Sequence, residues 1–192
     1  MINHKHKFLF LHLPKTGGTS INKFLNDKFK GNERDFGHPY LSDYGNNLTD
    51  YFKFTIVRNP YDRLVSAFFY MKEYSKYPAD IKFRERWKLK DDTFESFVIE
   101  KLPIIVGDKN TRPRHFKPQV EFGTSGLDYV GSFKTIQDDM NIICDKIGVK
   151  KQDLPHINSS NHKNYSEYYN KELLDIVKTL YSNDFNNYGH LF

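Results

Sequence analysis

Two stretches of continuous apolar character mark the first third of the chain, and each gives way to a different period. Phe8-Leu9-Phe10-Leu11-His12-Leu13 runs without alternation, as a strand covered on both faces does, and Pro14 ends it. After Thr19-Ser20 the apolar positions Ile21, Phe24, Leu25 and Phe29 recur at three and four residues, which predicts one face of a helix. Residues 51–57 repeat the strand pattern with β-branched and aromatic side chains, Arg58-Asn59-Pro60 interrupts them, and Leu64, Val65, Phe68, Phe69 and Met71 predict a helix over 61–74. Two strand-loop-helix units predict an α/β sheet with parallel strands, whose ligands lie beyond the carboxyl ends of those strands.

Downstream the pattern is less regular. Residues 30–50, rich in Gly, Asn, Asp and Pro, are expected to form a loop that returns to the edge where ligands bind. Residues 72–92 are charged and aromatic, with Trp87 among them, and are expected to form an excursion over the sheet edge. Asp92-Thr93-Phe94-Glu95 has the form of a capping box ahead of a short helix carrying Phe97, Val98 and Leu102. A strand is expected over 128–133, then a helix capped from Thr135 to Asp138 with Ile136, Met140, Ile143, Cys144 and Ile147 inward and Gly148 as its stop. The last helix is expected over 166–181, with Leu173, Ile176, Val177 and Leu180 inward. No repeat and no linker divides the chain, so one domain over 1–192 is expected.

Composition narrows the class. Of 192 residues, 38% are apolar and 16% aromatic, which supplies a core and excludes a disordered chain. The single cysteine, Cys144, falls on a helix face; it excludes an intrachain disulfide and predicts a buried thiol. The apolar run 8–13 is too short to span a membrane and lacks a small-residue cleavage site, so a cytoplasmic protein without a membrane span is expected. A net charge of +5 suits a polyanionic partner. With neither zinc-ligand spacing nor a nucleic-acid-binding signature in the sequence, no nucleic-acid partner is expected.

The chemistry concentrates in His12-Leu13-Pro14-Lys15-Thr16-Gly17-Gly18-Thr19-Ser20. A strand delivers Lys15 to a turn where Gly17 and Gly18 permit close approach of backbone amides, and a helix then opens on two hydroxyl residues. Amides, an ammonium and hydroxyls together make a cradle for a phosphate-like anion. The order differs from the mononucleotide loop, in which lysine follows the glycines, and no second strand ends in the magnesium-binding Asp of a nucleoside-triphosphate enzyme, so no metal is called for. A second anion site is expected in Arg58-Asn59-Pro60-Tyr61-Asp62-Arg63-Leu64-Val65-Ser66, where Arg58 at the strand's carboxyl edge and Ser66 on the next helix can grip phosphate oxygens. Arg63, beside Asp62, suits an ion pair as well as a ligand contact.

These segments resemble the carbohydrate sulfotransferases, which draw on 3′-phosphoadenosine 5′-phosphosulfate. Residues 12–20 are similar to that family's 5′-phosphosulfate loop and 58–66 to its 3′-phosphate site, and the likeness continues through His115-Phe116-Lys117-Pro118-Gln119, Asp128-Tyr129-Val130-Gly131-Ser132-Phe133 and Leu180-Tyr181-Ser182-Asn183-Asp184-Phe185. The loops 30–50 and 72–112 match poorly. The resemblance implies a P-loop-like three-layer domain with a central, mostly parallel sheet flanked by helices. It implies Lys15, Thr16, Gly17, Gly18, Thr19 and Ser20 on the 5′ side of the donor, Arg58 and Ser66 on its 3′-phosphate, and Lys163, after Asn158-Ser159-Ser160-Asn161-His162, on a covering loop. The implied reaction is direct in-line transfer of a sulfuryl group to a hydroxyl of a glycan or other small acceptor, and the family's soluble relatives imply a bacterial source.

Such a transfer needs a base for the acceptor's proton, and histidine suits it. His38, in Phe36-Gly37-His38-Pro39-Tyr40, is the leading candidate, and His115, in a basic cluster with Arg112, Arg114 and Lys117, stands in reserve; His12, between Leu11 and Leu13, is expected to support the strand edge. Lys15 is placed to neutralise charge developing on the bridging oxygen. Two other functions fit the same residues: an ATP-dependent P-loop-like kinase, and a noncatalytic polyanion-binding module using Lys15, Arg58 and the 112–117 cluster. Exposed aromatics over 70–87 suit either an acceptor groove or a subunit contact.

Overall fold

The computed structural model describes residues 1–31, 33, 37–45, 47–155, 157 and 162–192. In chain order the elements are β1 (Ile2–Asn3), β2 (Phe8–Phe10), α1 (Gly18–Lys28), β3 (Phe52–Val57), α2 (Pro60–Phe69), α3 (Pro78–Arg86), α4 (Phe94–Ser96), α5 (Leu102–Gly107), β4 (Tyr129–Ser132), α6 (Ile136–Ile147), α7 (Lys171–Leu180) and α8 (Ser182–Tyr188). The chain forms two compact units, one of Met1–Arg58, Gln119–Ser159 and Tyr188–Phe192, the other of Asn59–Pro118 and Ser160–Asn187.

The first unit holds a mixed sheet in the order β1-β2-β3-β4, in which β1 runs antiparallel to β2 and the β2–β3 and β3–β4 pairs are parallel. Period-two alternation sends Phe8, Phe10, Phe54 and Ile56 to one face, where they meet Ile21, Phe24 and Leu25 of α1 and Met140, Ile143, Cys144 and Ile147 of α6. Leu9, Leu11 and Val57 join Tyr51, Phe122 and Tyr188 in a second cluster. Each of these side chains contributes about 1.5–3 kcal/mol by leaving water, which is why the three parallel strands can be short.

The strand predicted over 8–13 is confined to Phe8–Phe10. The Leu11 amide still donates to the Phe54 carbonyl at 2.9 Å; beyond it the chain leaves the ladder to build the Lys15 turn. The strand predicted over 128–133 is β4, and Gly148, with φ 70°, stops α6 as expected. Thr135 does not cap α6: its hydroxyl donates instead to Asp139 Oδ2 at 2.7 Å. β1 is missed by pattern reasoning because two residues carry no period, and a basic His-Lys run follows them.

The second unit is helical around its own core, in which Phe68, Met71, Leu89, Phe97, Leu102, Phe116, Leu173, Val177 and Tyr181 are buried. The helix predicted over 61–74 is α2 followed by a π turn at Tyr70–Tyr74, and it starts where the Asn59 side chain accepts from the Tyr61 amide. The cap expected around Thr93 is present, but Ser96, not Glu95, closes it. The helix predicted from Ser166 begins only at Lys171, because Asn170 caps the Leu173 amide and Tyr165–Tyr168 form a tighter 3-10 turn. Arg63 is buried, donates to the carbonyls of His115 and Lys117, and lies 5.7 Å from the Tyr181 ring centre; it pins backbone within this unit. Arg112 is likewise buried and donates to the Val106 carbonyl, so the expected 112–117 basic cluster is partly internal. Tyr74 and Tyr77 are exposed, whereas Trp87 packs on Phe83. Among the described residues no helix is long and apolar enough to cross a membrane.

Candidate active site

At the carboxyl end of β2 the backbone alternates in handedness. Lys15 has φ 67° and Gly17 has φ 82°, while Thr16 and Gly18 stay on the ordinary negative side. Such alternation turns successive N–H groups toward one side and forms a concavity for an anion. The left-handed conformation costs a lysine about 1–2 kcal/mol; Gly17 adopts it freely. The Thr16 hydroxyl is engaged inside the loop, donating to the Leu13 carbonyl at 3.0 Å. Gly17 is the N-cap of α1, with no side-chain cap and no acidic residue in the first turn, so the positive end of the helix faces the concavity without a carboxylate of its own. Thr19 is exposed and Ser20 half-buried beside it.

Arg58, the first residue beyond β3, comes to the same place. Its Nη1 donates to the Lys15 carbonyl at 3.0 Å, and its guanidinium carbon lies 4.3 Å from the centre of the Phe133 ring. Gln119, wholly buried, clamps the Arg58 backbone from both sides: its Oε1 accepts from the Arg58 amide and its Nε2 donates to the Arg58 carbonyl, each at 2.9 Å. Burial, with the Arg58 charge nearby, lowers the Lys15 ammonium from its ordinary 10.5 to about 8. Two cations held close at such a cost are what a dianionic phosphate would relieve.

His38 is seated beside this loop. Gly37, with φ 85°, turns the chain into it, and the His38 Nδ1 lies 3.1 Å from the carbonyl oxygen of His12. A carbonyl only accepts, so Nδ1 carries the hydrogen and the neutral ring presents its lone pair on Nε2, the tautomer of a general base. The two imidazoles meet edge to face with centres 4.5 Å apart, the His12 Nδ1 lies 3.2 Å from Asn22 Nδ2 of α1, and the other edge of the His12 ring lies against Gly18, where an added Cβ would fall 2.1 Å from Nε2. His12 therefore does more than support the strand edge. It joins the loop, the helix and His38.

The first unit thus gathers Lys15, Thr16, Gly17, Gly18, Thr19, Ser20, His38 and Arg58. The remaining expected residues belong to the second unit. Ser66 is buried on α2, two helical turns after Asn59. His115 lies on a 3-10 turn with its ring 4.9 Å from that of Tyr70. Lys163 is exposed, 3.7 Å from Glu167, and the 158–161 stretch before His162 lies outside the described residues, as does Phe36. Gln119, Phe133 and Asn22 were not singled out from the sequence. The one signal available was that Gln119 and Phe133 sit within segments of the family likeness.

Two cavities open on the first unit. One of about 530 Å³ is bordered by Tyr40, Ser42, Thr49, Lys53, Glu121 and Ser125; the other, about 380 Å³, by Thr19, Asn22, Lys23, Asn26, Asp27 and Ile157. Among the described residues no group of three His, Cys, Asp or Glu gathers as a metal site would.

The sulfotransferase family model matches residues 1–190. Carbohydrate sulfotransferase 10 of Danio rerio is 41% identical over 83 residues, 33% of this chain and 22% of that protein. Its Homo sapiens counterpart is 39% identical over 82 residues, 33% of this chain and 23% of the relative. The Gallus gallus protein is 28% identical over 195 residues, covering 77% of this chain and 51% of its own length. The chain therefore spans from about a fifth to about half of these relatives. They are vertebrate proteins, and they lend no support to the expected bacterial source. No solved structure matches. The match along almost the whole chain places this protein in the sulfotransferase family.

Proposed function

We propose that this chain transfers a sulfuryl group from 3′-phosphoadenosine 5′-phosphosulfate to a hydroxyl of a carbohydrate acceptor, by direct in-line displacement in a P-loop-like fold. The observation that carries the reading is the junction of the two anion-binding arms, the Arg58 guanidinium resting on the carbonyl of Lys15 at 3.0 Å. A nucleotide with phosphate on both sides of its ribose is the ligand two such arms would share. The amides over 16–19 and the Lys15 ammonium would hold its 5′ side, and Arg58 its 3′-phosphate. The donor supplies an activated sulfur; the chain supplies charge and alignment.

Lys15 would stabilise the negative charge that grows on the leaving phosphate oxygen, a role felt in the transition state more than in the bound state. His38 would take the acceptor's proton on Nε2, while its Nδ1–H, held on the His12 carbonyl, keeps the ring oriented and supports the imidazolium that results.

Calorimetry with adenosine 3′,5′-bisphosphate in the presence of a chelator, and product analysis over a panel of neutral and anionic glycans, test the reading. His38→Ala should lower kcat by about 10²–10⁴-fold while leaving bisphosphate affinity unchanged. Ordinary turnover by that variant would remove His38 as base, and folded protein without affinity for the bisphosphate would remove the donor assignment.

A further inference from the structure

Phe133 stands where β4 gives way to the turn before α6, and its ring touches both arms of the anion site. A Cβ added to Gly17 would lie 3.1 Å from Phe133 Cε2, so the ring edge lies against the left-handed glycine of the loop. Its face carries the Arg58 guanidinium, 4.3 Å from the ring centre. An arginine side chain is long and flexible. Between the Lys15 carbonyl and an aromatic face it is restricted to one orientation, and the ring quadrupole adds attraction without competing for the N–H groups that grip an anion.

The ring is itself held. Asp139, on the first turn of α6, accepts from the Ser132 amide at 2.9 Å, from the Tyr129 hydroxyl at 2.6 Å and from the Thr135 hydroxyl at 2.7 Å. Gly131 makes room for that carboxylate, since a Cβ there would lie 2.8 Å from Asp139 Cβ and Cγ. The residue immediately before Phe133 is therefore held on two sides: Ser132 gives its amide to Asp139 of α6, while its hydroxyl accepts from the Lys134 amide at 3.2 Å and donates to the Leu191 carbonyl at 2.7 Å.

We propose that Phe133 is a positioning residue for Arg58, fixing the guanidinium that distinguishes a nucleotide with a 3′-phosphate from one without, and that Asp139 latches Phe133 in place. The proposal rests on the sulfotransferase reading and assigns a role to a residue outside the loop and the arginine segment. What it requires of position 133 is an aromatic face; a leucine fills the space against Gly17 without providing one.

The test compares affinities for adenosine 3′,5′-bisphosphate and adenosine 5′-phosphate in the parent protein, Phe133→Leu, Phe133→Tyr, Arg58→Gln and the Phe133→Leu/Arg58→Gln pair. Phe133→Leu should weaken the bisphosphate about five- to twentyfold while the 5′-phosphate changes less than about twofold, and Phe133→Tyr should retain the parent preference. In the Arg58→Gln background Phe133→Leu should have no further effect, because the two residues act as one unit. Phe133→Met serves as a second aliphatic arm where Phe133→Leu lowers thermal stability. Equal weakening of both nucleotides, an undiminished preference in both aliphatic variants, or full additivity with Arg58→Gln would overturn the proposal. Equal affinity of the parent protein for the two nucleotides would instead bring down the donor assignment beneath it.

Discussion

Lys15 combines an unfavourable backbone conformation with a half-buried ammonium brought down to about 8, and both features bear on how it meets an anion. Below pH 8 the amine is charged before the ligand arrives. Above it the free protein carries a neutral amine, so an anion that needs the charge must bind together with a proton. Affinity for adenosine 3′,5′-bisphosphate should therefore be level below about pH 8 and fall by up to tenfold per unit above it. Calorimetry at about pH 8.5 in buffers of different ionisation enthalpy should show proton uptake; affinity that stays level well past pH 9 would contradict the assignment. Stability follows the same sign. Because the folded value is lowered from 10.5 to about 8, the unfolded chain binds more protons in that window, and the contribution of Lys15 to stability improves as pH rises through it. Lys15, Gly17, Gly18 and Arg58 were legible in the sequence because each belongs to a local strand-end turn. His12 was not: flanked by leucines it looks internal, and no local spacing tells that His38 will dock on its carbonyl.

At the scale of elements, the β2–α1 junction is the feature on which the site depends. Gly18 opens the helix with the His12 ring so close that a Cβ would fall 1.9 Å from Cδ2. Gly18→Ala should displace the ring and, with it, the seat of His38. We expect a loss of stability of about 1–3 kcal/mol, seen as a lower denaturation midpoint, together with a drop in kcat larger than the change in donor affinity. An alanine variant with parental kcat would mean that His12 and His38 are not coupled through this contact. The long periodic elements, β3, α1, α2 and α6, were readable because burial of one face leaves its period in the sequence. The 3-10 and π turns were not. Their boundaries are decided by a single side chain, such as Asn164 capping the Ser166 amide of the Tyr165–Tyr168 turn, or by packing that no window of sequence contains.

For the whole molecule the notable property is how the chain is shared out. It passes from one compact unit to the other at 58/59, 118/119, 159/160 and 187/188, so each unit is completed by segments that are distant in sequence. Unfolding either unit would release the closures that bring the other's segments together, and closing those loops again costs entropy. We therefore expect the one domain read from the sequence to appear as a single calorimetric transition whose van't Hoff and calorimetric enthalpies agree. Two resolved transitions would contradict it. This organisation was hidden at the sequence level, where the absence of a linker says that no cut divides the chain but cannot say that the path is interleaved.

The alternating handedness from Lys15 to Gly18 has a consequence for kinetics. The turn is braced from within by the Thr16 hydroxyl, so under the proposed donor reading its backbone is already set before a phosphate would arrive. Arrival would then depend on diffusion through the field of two adjacent cations and slow as salt thins that field, whereas departure would depend on how well the pair grips the anion.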